Sequence, residues 1–103
     1  MFSPTLLGTR CGVTRYFYEN QRVAIRLHDA ETFAPFAAMT INIPDQKLDE
    51  REIILNRDAA RYVDALVEAQ MIEPPHREVA SGMAMYPVAR LTETFVEHLD
   101  DMY

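Results

Sequence analysis

The sequence predicts an α+β fold: an antiparallel sheet of four to five strands packed by one main helix, with a short C-terminal helix. Three observations carry this reading. Residues 22–28 alternate without a fault, with Val23, Ile25 and Leu27 on one face and Arg22, Ala24, Arg26 and His28 on the other, the period of a half-buried strand. Ala59, Ala60, Val63, Leu66 and Val67 recur at helical spacing. The strand-like runs are joined by short polar turns, as in an antiparallel meander, whose apolar face a helix must cover.

Residues 1–12, punctuated by Pro4, Gly8 and Gly12, read as an irregular lead-in. Residues 13–18 are rich in β-branched and aromatic side chains and predict a strand. Asn20-Gln21 predicts a tight turn, because Asn tolerates the left-handed backbone that hairpin turns need. Residues 29–32 form a polar turn. Residues 36–43 predict the next strand, with Met39, Ile41 and Ile43 facing one way and Thr40 and Asn42 the other. Pro44 ends it, since proline cannot donate to a sheet ladder. The opposite, wetted face is expected to carry Arg22, Arg26, Thr40 and Asn42.

A charged loop over 45–51 leads to the apolar run Ile53-Ile54-Leu55, a short fourth strand. Asn56 is placed to cap a helix over about 57–70, with Asp58 in the first turn where the helix dipole favours an acid. Met71 continues its stripe, Pro74-Pro75 stop it, and residues 76–81 read as a linker. Residues 83–91 predict a strand in which Pro87 implies an edge position or a bulge. Thr92 then caps a helix running to Tyr103, with Phe95, Leu99 and Met102 on one side.

The 103 residues make one domain, and 49% hydrophobic content is enough for its own core. Cys11 is alone, which excludes an internal disulfide and fits a reducing compartment. The apolar stretch 2–7 is broken by Pro4 and Gly8 and follows no basic segment, so it does not read as a signal peptide. No apolar run approaches the roughly 20 residues that span a bilayer. The expected location is cytoplasmic.

No chemical motif emerges. His28, His76 and His98 are not at metal-ligand spacing and read as solvated side chains. Ser81-Gly82 lacks the flanking glycine of a nucleophile elbow. Arg10 beside Cys11 would favour its thiolate, but nothing else recommends that thiol. Three glycines cannot build a phosphate cradle. Asp45, Asp49, Glu50 and Glu52 lack the alternating ligands and central glycine of a calcium loop. Tyr16, Phe17 and Tyr18 interleave with Arg15 and Arg22 but read as core, as do Met39, Met71, Met83 and Met85. The expectation is no catalytic residue, no metal and no cofactor.

Charge is the strongest remaining signal. The net charge is −6, and residues 1–28 hold four Arg against Glu19 alone, which leaves 15 acids and 6 bases in the rest. Such a balance opposes binding to nucleic acid or to an anionic membrane, and suits a basic partner. Arg61 can pair with Asp64 on the main helix, whereas Glu93, Glu97, Asp100 and Asp101 have no neighbouring base and stack on one stripe. The candidate partner-binding residues are therefore Asp45, Asp49, Glu50 and Glu52 in the loop, and Glu93, Glu97, Asp100 and Asp101 at the end.

Tyr18-x-Asn20-x-Arg22-x-Ala24-Ile25-x-Leu27, then Pro35 and Thr40-x-Asn42-x-Pro44, are followed by Leu66, Ile72, Ser81-Gly82 and Tyr86-Pro87. Over about residues 16–90 this pattern resembles a family of small uncharacterised domains carried by bacterial phages, plasmids and integrative elements. The resemblance implies a protein of a mobile element that inhibits host defence by occlusion, as anti-CRISPR and anti-restriction proteins do. Carboxylates would then stand where a nuclease or surveillance complex, such as a CRISPR–Cas effector, expects phosphates. The expected state is a monomer or weak dimer. Two alternatives stay open: a scaffold that pairs through strand 83–91, and a small enzyme built on paired carboxylates.

Overall fold

The hairpin foreshadowed by the alternation at 22–28 is the spine of the structure. In the computed structural model, which describes residues 2–101, β2 (Thr9–Phe17) and β3 (Val23–Asp29) pair antiparallel from Phe17–Val23 to Cys11–Asp29. β1 (Thr5–Leu6) and β4 (Pro35–Ala38) flank them, giving the order β1-β2-β3-β4. A second antiparallel sheet has the order β5-β7-β6, from β5 (Glu52–Ile54), β6 (Arg77–Ser81) and β7 (Ala84–Arg90). The helices are α1 (Arg57–Ala60), α2 (Val63–Glu68) and α3 (Glu93–Asp100). The fold is α+β with antiparallel sheets, but there are two sheets where one was expected.

Thr40 joins them. It makes an antiparallel bridge to Leu55, reinforced by Ile41 N–H donating to the Ile54 carbonyl at 3.0 Å and Asn56 N–H to the Met39 carbonyl at 2.9 Å. Thr40 is thus buried rather than on a wetted face: its hydroxyl accepts from Ile25 N–H at 3.1 Å and meets the Tyr18 hydroxyl at 2.9 Å. Asn20 bonds to Asn42 at 3.1 Å, and the Arg22 guanidinium donates to the Ile43 and Gln46 carbonyls. These bonds from Tyr18, Asn20 and Arg22 hold the crossing between the sheets at one end of the hairpin and leave the buried Thr40 hydroxyl paired.

From Phe2 onward the lead-in is ordered. Cys11 N–H donates to the Pro4 carbonyl at 2.8 Å, and Leu7 and Gly8 form the β1–β2 turn, both with positive φ. In the β2–β3 turn the left-handed residue is Gln21 (φ 69°) rather than Asn20, whose side chain instead accepts from Arg22 N–H. Residues 76–81, expected as a linker, supply β6 because Val79 can sink beside Val88 and Ile54 in a second apolar cluster. β7 is central rather than an edge. Pro87 keeps the acceptor half of its pairing, its carbonyl accepting from Leu55 N–H at 2.9 Å, and the donor it lacks falls one residue past the last β5–β7 pair, at the end of that ladder.

The expected single helix over 57–70 is broken. Asn56 caps α1 by accepting from Asp58 N–H, but Tyr62 leaves helical geometry (φ −114°, ψ 19°) and its N–H turns to the Ala59 carbonyl. Its ring packs on Phe36 of the β3–β4 side with centroids 5.9 Å apart, a tertiary contact that overrides local periodicity. Arg61 and Asp64 form no ion pair among the described residues. α2 ends on a left-handed Gln70 (φ 63°), with Met71 N–H reaching back to the Leu66 carbonyl, the bond that closes a helix terminus before the chain reverses.

The main core gathers Leu6, Cys11, Ile25, Leu27, Met39, Ile53, Leu55, Leu66, Met71, Leu91, Phe95 and Leu99. β5 is buried on both faces, Ile53 toward this core and Ile54 toward the second cluster, which explains its unbroken apolar run. Met39 and Met71 fill core as expected, whereas Met83 and Met85 are exposed at the β6–β7 turn and beside it. Phe17 is also exposed, against expectation, with the Arg15 guanidinium 5.0 Å from its ring.

Thr92 caps α3 as expected: its hydroxyl accepts from Phe95 N–H at 3.1 Å and donates to the Gln70 carbonyl at 2.6 Å. One side chain thus ties the end of α2 to the start of α3. Thr92→Ala is expected to lower stability by about 1–2 kcal/mol, read as a shift of the urea unfolding midpoint, while Thr92→Ser retains most of it. Met102 and Tyr103, part of the expected helix, lie outside the described residues.

Candidate partner-binding surface

The eight acids singled out in the sequence divide into an exposed group and a structural group. α3 sinks Phe95 and Leu99, four residues apart, and this fixes which side faces out. Glu93, Glu97, Asp100 and Asp101 are all exposed. Asp100 is partly answered by Arg15, 3.5 Å away across the helix–sheet contact, a base far from it in sequence. Glu93, Glu97 and Asp101 form no ion pair among the described residues.

In the loop, Asp45, Asp49 and Glu50 are exposed, and Asp49 lies 3.9 Å from Arg90. Such an exposed pair holds little energy. Arg51 adopts a left-handed backbone (φ 66°) and its guanidinium donates to the Leu91 carbonyl at 2.9 Å and to Glu73 at 3.3 Å. The loop is thereby anchored at the root of α3, since Thr92 follows Leu91 directly.

Glu52 does not belong to this surface. It starts β5 with its side chain 1% exposed, beyond the reach of any partner. Oε1 accepts from Arg77 Nη2 at 2.9 Å and from Asp49 N–H at 2.7 Å; Oε2 lies 2.5 Å from His76 Nε2 and 3.3 Å from Arg77 Nε. Arg77 also donates to the Lys47 carbonyl at 2.9 Å, so the cluster clamps the loop to the start of β6. The Arg77 hydrogen bond holds the Glu52 carboxyl at about 2, well below its ordinary 4.5; burial opposes this, and the Asp49 N–H and His76 add to it. His76, expected to be simply solvated, is a partner in this cluster. Spacing could not reveal it, because 24 residues separate the two. The one hint was an acid abutting the apolar run at 53–55.

Cys11 is fully buried, and burial pushes its thiol pKa up, with Asp29 adding to the rise; the neighbouring Arg10 does not prevail. Among the described residues no three His, Cys, Asp or Glu side chains converge as metal ligands, and no helix is long and apolar enough to cross a membrane. Comparison with protein-family models, curated proteins and solved structures finds no match.

Proposed function

We propose that this chain is a non-enzymatic protein-binding inhibitor, of the kind mobile genetic elements carry, that occludes a basic nucleic-acid-handling surface of a host defence complex such as a CRISPR–Cas effector. The observation that supports this reading most directly is the outward face of α3. Its apolar side is locked into the core while Glu93, Glu97 and Asp101 stand in water without a counter-charge among the described residues. Like charges four residues apart weaken a helix by a few tenths of a kcal/mol, a cost that a cationic partner removes. Asp45, Asp49 and Glu50 extend the same charge from a loop that Arg51 pins beside α3. Glu52 has no part in recognition and serves to hold that loop.

The test is a tagged pull-down from the host, followed by titration of the captured protein at increasing salt. The complex is expected to weaken steeply with salt. The variant Glu93→Gln, Glu97→Gln, Asp100→Asn, Asp101→Asn should bind roughly tenfold to a hundredfold more weakly with its fold intact. Unchanged affinity in that variant removes α3 from the mechanism.

A scaffold reading is favoured by a different observation. β6 has a neighbour on one side only, and the exposed Met83 and Met85 lie at and next to the turn that follows it. If the chain pairs with itself, the edge used is β6 rather than the central strand β7. Light scattering at high concentration separates the two: the scaffold reading requires a stable assembly and is lost if the chain stays a monomer, whereas the inhibitor reading expects a monomer or weak dimer.

A further inference from the structure

The four-stranded sheet carries a groove of about 500 Å³, on residues distinct from the eight candidate partner-binding acids. That volume is in the range of small-molecule sites. Its walls are largely apolar, with Phe33, Pro35 and Phe36 prominent, and its polar groups are few: Thr14, Arg26, His28 and Asp58.

Three features mark this groove as built. Phe33 is 74% exposed yet holds a left-handed backbone (φ 62°), which is an outlier for a bulky residue. Its ring is stacked on the His28 imidazole, with centroids 5.4 Å apart. His28 in turn is fixed from two sides: Nδ1 lies 3.2 Å from Thr14 Oγ1, and the ring rests on Gly12, where a Cβ would come within 2.5 Å of Nε2. A strained aromatic and a seated imidazole therefore form one flat wall. Arg26 lies over the Tyr16 ring at 5.4 Å and has no carboxylate partner among the described residues. It is a cation available to a ligand. Asp58, also in the lining, disfavours an anion near α1 and leaves Arg26 as the place for one.

We infer that this groove binds a small planar aromatic anion, its ring against Phe33 and Phe36 and its negative group on Arg26. A ring plate supplies dispersion and apolar burial, and a guanidinium supplies a charge-assisted hydrogen bond to a carboxylate or a phosphate. Either anion satisfies the same chemistry.

Amide shift mapping on the ¹⁵N-labelled chain tests this with three probes: naphthalene-2-carboxylate, its neutral carboxamide, and adenosine 5′-monophosphate. The expected result is saturable shifts at residues 14, 26–28, 33–38 and 58 with millimolar carboxylate. Arg26→Gln should weaken the carboxylate roughly tenfold while leaving the carboxamide unchanged. Phe33→Gly fits the left-handed backbone, keeps the rest of the spectrum, and should weaken both naphthalene probes. Shifts with the monophosphate as well identify a nucleotide-type phosphate as the anion, whereas shifts with the carboxylate alone identify an aromatic acid. Shifts that are absent, that map to α3, or that Arg26→Gln weakens equally for carboxamide and carboxylate overturn the assignment.

Discussion

Glu52→Gln is expected to lower the free energy of unfolding by about 3 kcal/mol at pH 7. The figure follows from the carboxyl pKa, held at about 2 against an ordinary 4.5, at roughly 1.4 kcal/mol per unit. It sits at the low end of the cost of breaking a buried ion pair, about 3–5 kcal/mol. The reason is that His76 and Arg77 are each about a third exposed and can turn to water once the acid is gone. Against a total stability of about 5–15 kcal/mol the loss is large. The sign of the pH dependence is fixed. The folded state lowers this pKa, so the stabilisation is complete above about 4.5 and disappears as pH falls toward about 2. Urea unfolding followed by far-UV dichroism should find wild type and Glu52→Gln well separated at neutral pH and converging near pH 2. Parallel curves at all pH values would falsify a charge-linked clamp.

Phe95→Ala should cost about 3–5 kcal/mol, the usual loss for a fully buried aromatic. Phe95 is 0% exposed, packs edge-on against Phe2 at 4.9 Å and stacks with His98 at 6.2 Å. It is also the main fastening of α3. Hydrogen exchange should therefore show amides 93–100 losing protection before the sheets do. On the proposed function, the same variant should also lose partner binding although Glu93, Glu97, Asp100 and Asp101 are untouched, because their common face depends on the anchored helix. Full binding with an unprotected α3 would show that the acids act as a flexible tail.

Much of the fold was legible because it is local. Strand β3 follows from strict alternation, its partner β2 from β-branched and aromatic residues, and the caps at Asn56 and Thr92 from short polar side chains ahead of apolar runs. What could not be read was long-range. Tyr62 breaks the helix at 57–70 because it meets Phe36, and residues 76–81 become β6 because Val79 finds Ile54 and Val88. Gly82, with its positive φ of 61°, marks a turn beside Met83, but the linker-like pattern of 76–81 offers no partner strand to make it a hairpin turn that leaves Met83 and Met85 exposed.

The same division runs through the sites. The exposed acids of α3 were visible as a stripe lacking neighbouring bases, since charge spacing along a helix is a local property. Only tertiary structure decided that Glu52 leaves the loop acids for a clamp with His76 and Arg77, and that Asp100 meets Arg15. It also turned Phe33, His28 and Arg26 into one groove. By itself the sequence determined an acidic α+β chain with antiparallel pairing and a C-terminal helix bearing carboxylates on its solvent side. The structure decided which charges are spent internally, because pairing and burial depend on distances across the fold that no local pattern encodes.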